Sequence, residues 1–282
     1  LRLLLKHGAL PGGTNAHLRA MDFDDHEAVA LLLAHGAEVD DFQASPLGGE
    51  PPSVIPALHH AARRLCGKDT IDLLLKAGAD PARLFEGCSA YGYARVFGNR
   101  TLAAAIEARG TPPRLTPEEE LLSKAADGED TAGFSLPPDS LPDVYRTLLN
   151  ALLRLPDSLD HIRRLATLGI ETDRPDGEGL TPVQIAGWEG KSEALSWLLT
   201  LGPDLDHVNG YGGDLFSTIL HGAMNCPQRD ARDHLGCLTL VLQAGVPLPR
   251  RAPDLVGDEE MAERLRSWME EHPSQVVEVG IV

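Results

Sequence analysis

The chain has 282 residues, with 25 Lys and Arg against 42 Asp and Glu, a formal net charge of -17, 43% hydrophobic and 5% aromatic residues. That balance argues against nonspecific nucleic-acid binding, which needs Lys and Arg to displace phosphate counterions. Apolar runs of a few residues are too short to span a membrane, and four Cys are too few for a disulfide scaffold.

Taken in chain order, Leu-rich segments stop at Gly again and again. The first, Leu3-Leu4-Leu5-Lys6-His7-Gly8-Ala9, lacks the small-residue cleavage site of a signal peptide and reads as the end of a helix. Close copies follow at Leu31-Leu32-Leu33-Ala34-His35-Gly36-Ala37 and Leu73-Leu74-Leu75-Lys76-Ala77-Gly78-Ala79. Weaker ones end at Gly110, Gly169, Gly202 and Gly245, so the spacings are 28, 42, 32, 59, 33 and 43. A period near 33 results if the 59-residue gap hides one degenerate unit and the gaps of 42 and 43 hold insertions. Each Leu stripe supplies a buried helix face, and each Gly supplies the left-handed residue that ends the helix. Asp40, Asp80, Asp173 and Asp206 follow such endings and favour turns.

The period divides the chain into a trailing half-repeat (residues 1–12), repeats at 13–41, 42–80 and 81–111, a degenerate unit at 112–141, and repeats at 142–173, 174–206 and 207–250. At the domain level this means an N-terminal array over 1–111, a linker-like unit over 112–141, a C-terminal array over 142–250, and a capping helix and tail over 251–282. A Pro-rich inserted loop is expected from Gln43 to Pro56. Thr116-Pro117-Glu118-Glu119-Glu120 reads as a capped helix start, whereas residues 134–142 read as loop. A terminal helix over 258–271 should turn Met261, Leu265 and Trp268/Met269 inward, and Val276-Val277-Glu278-Val279 suits an edge strand.

The best unit reads Asp176-Gly177-Glu178-Gly179-Leu180-Thr181-Pro182-Val183-Gln184-Ile185-Ala186-Gly187-Trp188-Glu189-Gly190. Thr181 suits a helix N-cap, Pro182 its first turn, and Ala186 and Gly187 close helix packing. These residues resemble the ankyrin repeat, whose hallmark is Thr-Pro-Leu-His-x-Ala. This copy carries Val183 for Leu and Gln184 for His; Leu58-His59-His60-Ala61 keeps the Leu-His-x-Ala core. The resemblance implies an all-α solenoid of stacked helix pairs with β-turn fingers, and disfavours tetratricopeptide-type helices. It also implies a noncatalytic module that binds another protein through its fingertips and concave first-helix face. His59 would then hydrogen-bond the finger backbone.

Transferred residue by residue, the resemblance places Glu178 and Leu180 on a finger and Trp188 and Glu189 on a helix. Matching helix positions are Asp22 and Phe23, Arg63 and Arg64, Val96 and Phe97, and His221. Trp and Arg at such places are the residue types that dominate binding hot spots. Phe23 and Phe97 suit packing as well, and Trp188 suits contact and packing equally.

Two further readings compete. His221, Cys226, His234 and Cys237 fall within 17 residues and include Zn²⁺-ligand types, which would make the chain a metal-binding protein or an enzyme, but in no standard finger spacing. The alternative there is a buried Cys237 and an Asn-Cys-Pro turn, with no metal, no cofactor and no enzyme. Acidity is also uneven: residues 1–110 hold 11 basic and 13 acidic side chains, residues 111–282 hold 14 and 29. That asymmetry suits an acidic inhibitor or immunity-type partner of a basic protein, or simply a solvated surface. The chain is expected to be a cytoplasmic monomer with a protein partner, and without nucleic acid or membrane.

Overall fold

The computed structural model describes residues 1–40 and 55–278. Residues 43–54 of the expected inserted loop, and Val279 of the expected edge strand, lie outside them. The chain divides into two compact units, Leu1–Pro142 and Asp143–Val282.

The first unit opens with α1 (Arg2–Lys6), followed by the pairs α2 (Ala16–Met21) with α3 (His26–Ala34) and α4 (Ala57–Arg63) with α5 (Lys68–Lys76). A two-stranded finger, β1 (Leu84–Phe85) and β2 (Cys88–Ser89), leads into α6 (Ala90–Phe97) and α7 (Arg100–Glu107). Its strands pair antiparallel across Glu86 and Gly87, whose φ values of 50° and 81° are both positive. That is the backbone a two-residue hairpin needs to match strand twist. First helices stack on first helices (α2, α4, α6) and second on second (α3, α5, α7). The unit ends on α8 (Pro117–Asp127), which packs on α6. Its capping box is complete: Thr116 Oγ1 accepts from the Glu119 N–H at 3.1 Å, and Glu119 accepts from the Thr116 N–H at 3.0 Å. No second α-helix follows in this unit; Gly128 ends α8 at φ 81°, and Pro137, Pro138 and Pro142 deny a continuing helix its N–H donors.

The second unit begins with the short α9 (Asp143–Arg146) and repeats the pairing. α10 (Leu148–Leu153) pairs with α11 (Leu159–Leu168), α12 (Pro182–Trp188) with α13 (Ser192–Leu199), and α14 (Leu215–Asn225) with α15 (His234–Gln243). After β3 (Leu248–Pro249) come α16 (Ala252–Leu255), α17 (Glu259–Glu271) and β4 (Val276–Val277). Met261, Leu265 and Trp268 of α17 are buried, as expected for a cap. The Trp268 Nε1–H donates to Gln275, whose amide donates to the Leu242 and Val246 carbonyls that close α15, at 2.8 and 2.6 Å. β4 pairs parallel with β3, so Val276 and Val277 form the expected edge strand.

A polar side chain on a first helix reaches the backbone of the next finger in four pairs. His17 Nε2–H donates to the Val39 carbonyl at 3.1 Å, and His59 Nε2–H to the Cys88 carbonyl at 3.0 Å. The Asn150 amide serves the Arg174 and Leu180 carbonyls, and the Gln184 amide those of His207 and Gly213. All four side chains are buried, so each needs the acceptors that the next finger offers; the Leu180 and Gly213 carbonyls accept from the Asp176 and Asn209 N–H groups as well. A second set of bonds ties the start of a second helix back to the preceding repeat. Asn99 donates to the Ala61 and Cys66 carbonyls at 3.1 Å while capping α7, and His234 donates to the Trp188 carbonyl at 3.0 Å. Lys191 Nζ donates to the Leu155 carbonyl, and burial pulls its ammonium down to about 8.

Gly36 and Gly78 sit at φ 95° and 94° with open space where a Cβ would point, so the cost of a side chain there is purely conformational. Gly78→Val is expected to lose about 1–3 kcal/mol in urea unfolding; unchanged stability would mean α5 ends by other means. Burial holds His59 and His60 below their ordinary value of 6.5. The unfolded chain therefore takes up these protons first. Their contribution is complete above pH 6.5 and is lost as pH falls through the folded-state values. The melting temperature should drop from pH 7.5 to 5.5, and His59→Gln, which keeps the donor but cannot titrate, should flatten that drop.

Candidate concave site

In the second unit the fingers are built by acidic and amide turn residues. Asp176 Oδ1 accepts from the Glu178 and Leu180 N–H groups, each at 3.0 Å. Asn209 Oδ1 does the same for Tyr211 and Gly213, at 2.9 and 3.1 Å. The two fingers touch: the Gly210 N–H donates to the Glu178 carbonyl at 3.0 Å, and a Cβ on Gly179 would lie 2.6 Å from the Gly210 nitrogen. His207 clamps the same place, donating to the Gly179 carbonyl at 2.8 Å.

Behind the fingers the helices approach closely. A Cβ on Gly187 would meet Ile219 at 2.5 Å, and one on Gly222 would meet the Trp188 carbonyl oxygen at 2.4 Å. Small residues at both points bring α14 against α12 and set Trp188 and His221 face to face, with ring centroids 5.1 Å apart and planes 27° apart.

Between the fingertips and these helices lies a pocket of about 750 Å³. Its apolar part is Leu180, Trp188, Tyr211, Leu220, Met224 and Leu255; its polar part includes Arg154, Glu178, Asn209, Ser217, Thr218 and His221. Tyr211 is 74% exposed, Met224 38% and Leu255 40%. Arg154 points its guanidinium at Asp176 (3.2 Å) and Glu178 (3.6 Å).

Four of the residues expected at a binding face, Glu178, Leu180, Trp188 and His221, line this one pocket. Glu189 instead faces Arg232 at 3.7 Å, with both side chains largely covered. In the first unit Phe23 is 69% exposed, while Phe97 is 3% exposed and stacks on Tyr93 at 5.4 Å. Val96 is buried as well, so that pair presents no surface. Arg64 is drawn to Asp22, 3.3 Å from its carboxylate and 3.0 Å from its carbonyl, and Arg63 beside it is half-buried. His60 joins the same carboxylate at 3.0 Å. Burial opposes the Asp22 charge, but His60 and Arg64 hold its carboxyl below the usual value.

The Cys and His cluster is not assembled. His221 stacks on Trp188, His234 bonds the Trp188 carbonyl, and Cys226 and Cys237 are buried free thiols. Burial pushes both thiols up, which makes them poor nucleophiles. Among the described residues no group of three or more His, Cys, Asp or Glu converges as a metal site.

Tyr211, Met224 and Leu255 completed the site without being singled out from the sequence. Tyr211 had a legible signal, an aromatic residue within the Gly-rich turn Asn209-Gly210-Tyr211-Gly212-Gly213. Met224 and Leu255 had none, since their place depends on how far α14 runs and where α16 docks.

No family model matches the chain, and no curated protein matches it. Among solved structures, the crystal structure of the human ASB11 ankyrin repeat domain is similar at 15% identity and a TM-score of 0.36. That match covers 88% of this chain and 96% of that one. No helix among the described residues is long and apolar enough to cross a membrane.

The α12–α14 contact has a direct test. Gly222→Ala forces a methyl group onto the Trp188 backbone and is expected to cost about 1–3 kcal/mol, as overpacking does. Equal stability by urea unfolding would show that α14 can shift away freely.

Proposed function

We propose that the chain is a noncatalytic protein-interaction module, and that the concave pocket of its second unit is the binding face. The observation that carries this reading is the aromatic group at the pocket, with Trp188 stacked on His221 and Tyr211 standing exposed on the fingertip. Large aromatics at the centre of a concave, partly apolar surface are the usual anchors of protein interfaces. They give up little conformational entropy on contact, and surrounding residues exclude water from them. The surface is preformed: buried hydrogen bonds hold the fingers, and Gly187 and Gly222 seat the helices, so little ordering is left to oppose association. The polar members, Arg154, Glu178, Asn209 and Ser217, supply the rim that sets orientation.

The test is a pair of truncations. Partners captured from the source cell by the wild-type chain are purified, and their affinity is measured for Trp188→Ala, Tyr211→Ala and a control, Trp197→Ala on α13. The first two should weaken binding at least about tenfold, with melting temperatures close to wild type; the control should not weaken it. Binding unchanged by Trp188→Ala and Tyr211→Ala would remove the pocket from the interface.

A further inference from the structure

The two fingers that overhang the pocket carry a one-sided charge. Segments 170–180 and 203–213 hold Glu171, Asp173, Asp176, Glu178, Asp204 and Asp206 against one arginine, Arg174. That arginine is occupied, 3.1 Å from Asp143 and 3.4 Å from Glu171, and Glu171 is also held by both donors of Arg146, at 2.7 and 2.9 Å. Inside the pocket, Arg154 is shared between Asp176 and Glu178, so two carboxylates face one guanidinium. Glu178 remains half-exposed beyond that contact, and its charge and hydrogen bond raise the Tyr211 phenol above its ordinary value. Asp173, Asp204 and Asp206 are exposed. Lys191, the single lysine of the second unit, is turned inward to the Leu155 carbonyl.

We infer that the pocket takes a polypeptide segment bearing a bulky apolar side chain flanked by Lys or Arg. This deepens the binding role proposed above and rests on it. The apolar anchor enters between Trp188, Met224 and Leu255, where it displaces water from a surface that gains by losing it. The flanking cations meet Glu178, which lines the pocket and shares the single Arg154 guanidinium with Asp176. An acidic segment would bring like charge to Glu178 and is disfavoured by the same arrangement. Complementary charge at an exposed rim acts through solvent and so carries a salt dependence.

The experiment uses the full chain and three dye-labelled peptides of equal length with one Leu-Phe centre and Lys, Ser or Glu flanks, read by fluorescence anisotropy. The Lys-flanked peptide should bind about tenfold more tightly than the Glu-flanked one at low salt, a preference that shrinks as salt is raised. Glu178→Gln should weaken the Lys-flanked peptide several-fold and leave the Ser-flanked peptide unchanged. Trp188→Ala should weaken all three. Equal binding of the three peptides, each sensitive to Trp188→Ala, overturns the charge preference and leaves the pocket as the binding face. Binding of the Lys-flanked peptide that ignores Trp188→Ala, or no binding of any peptide, overturns both.

Discussion

Buried carbonyl groups set the terms for this structure. Turn fingers present backbone oxygens to the first helices, and those oxygens take donors from beyond the finger, at Leu180 and Gly213 in addition to an N–H of the finger itself. His17, His59, Asn150 and Gln184 supply them from first helices, each reaching one finger ahead. One side chain therefore does two things: it satisfies a buried acceptor, and it fixes the spacing between consecutive repeats. Chemically different residues fill the place because the requirement is for an N–H at a set distance, not for a particular ring or amide. Removing one of these hydrogen bonds costs about 0.5–1.5 kcal/mol.

The pocket inherits its shape from those bonds. Gln184 holds the second finger through His207 and Gly213, and Asn150 holds the first through Arg174 and Leu180. Fingers held this way carry Glu178 and Tyr211 to the pocket rim, while Gly187 and Gly222 let α14 come close enough for His221 to meet Trp188. Exposed aromatics and buried amides are thus parts of one arrangement. The amides form the scaffold, and the aromatics are what the scaffold displays.

Repeats that depart from the pattern show where its physics stops. α8 keeps its capping box and its place on α6, yet residues 129–142 form no second α-helix, because their prolines withhold backbone donors. The second unit is closed differently at its C-terminal end, by α17 with Trp268 and Gln275 sealing the carbonyls of α15. Both are ways of finishing a stack whose inner members rely on neighbours for their hydrogen bonds.

By itself the sequence determined the helix endings, the caps and the period. These follow from local rules: Gly36 and Gly78 for left-handed backbone, Thr116 and Glu119 for free N–H groups, Met261, Leu265 and Trp268 for one helical face. It also singled out Glu178, Leu180, Trp188 and His221, which the structure brings to one pocket, since a repeat carries its positions with it. What only the tertiary structure decided was which side chains remained available. Phe97 is covered by the packing of its own helix pair, Glu189 is spent on Arg232, and Arg64 on Asp22. Met224 and Leu255 reach the pocket from elements whose length and docking no local spacing encodes. Local rules govern backbone conformation because they act within a few residues. Exposure and pairing depend on neighbours tens of residues away, and those are known only once the repeats have stacked.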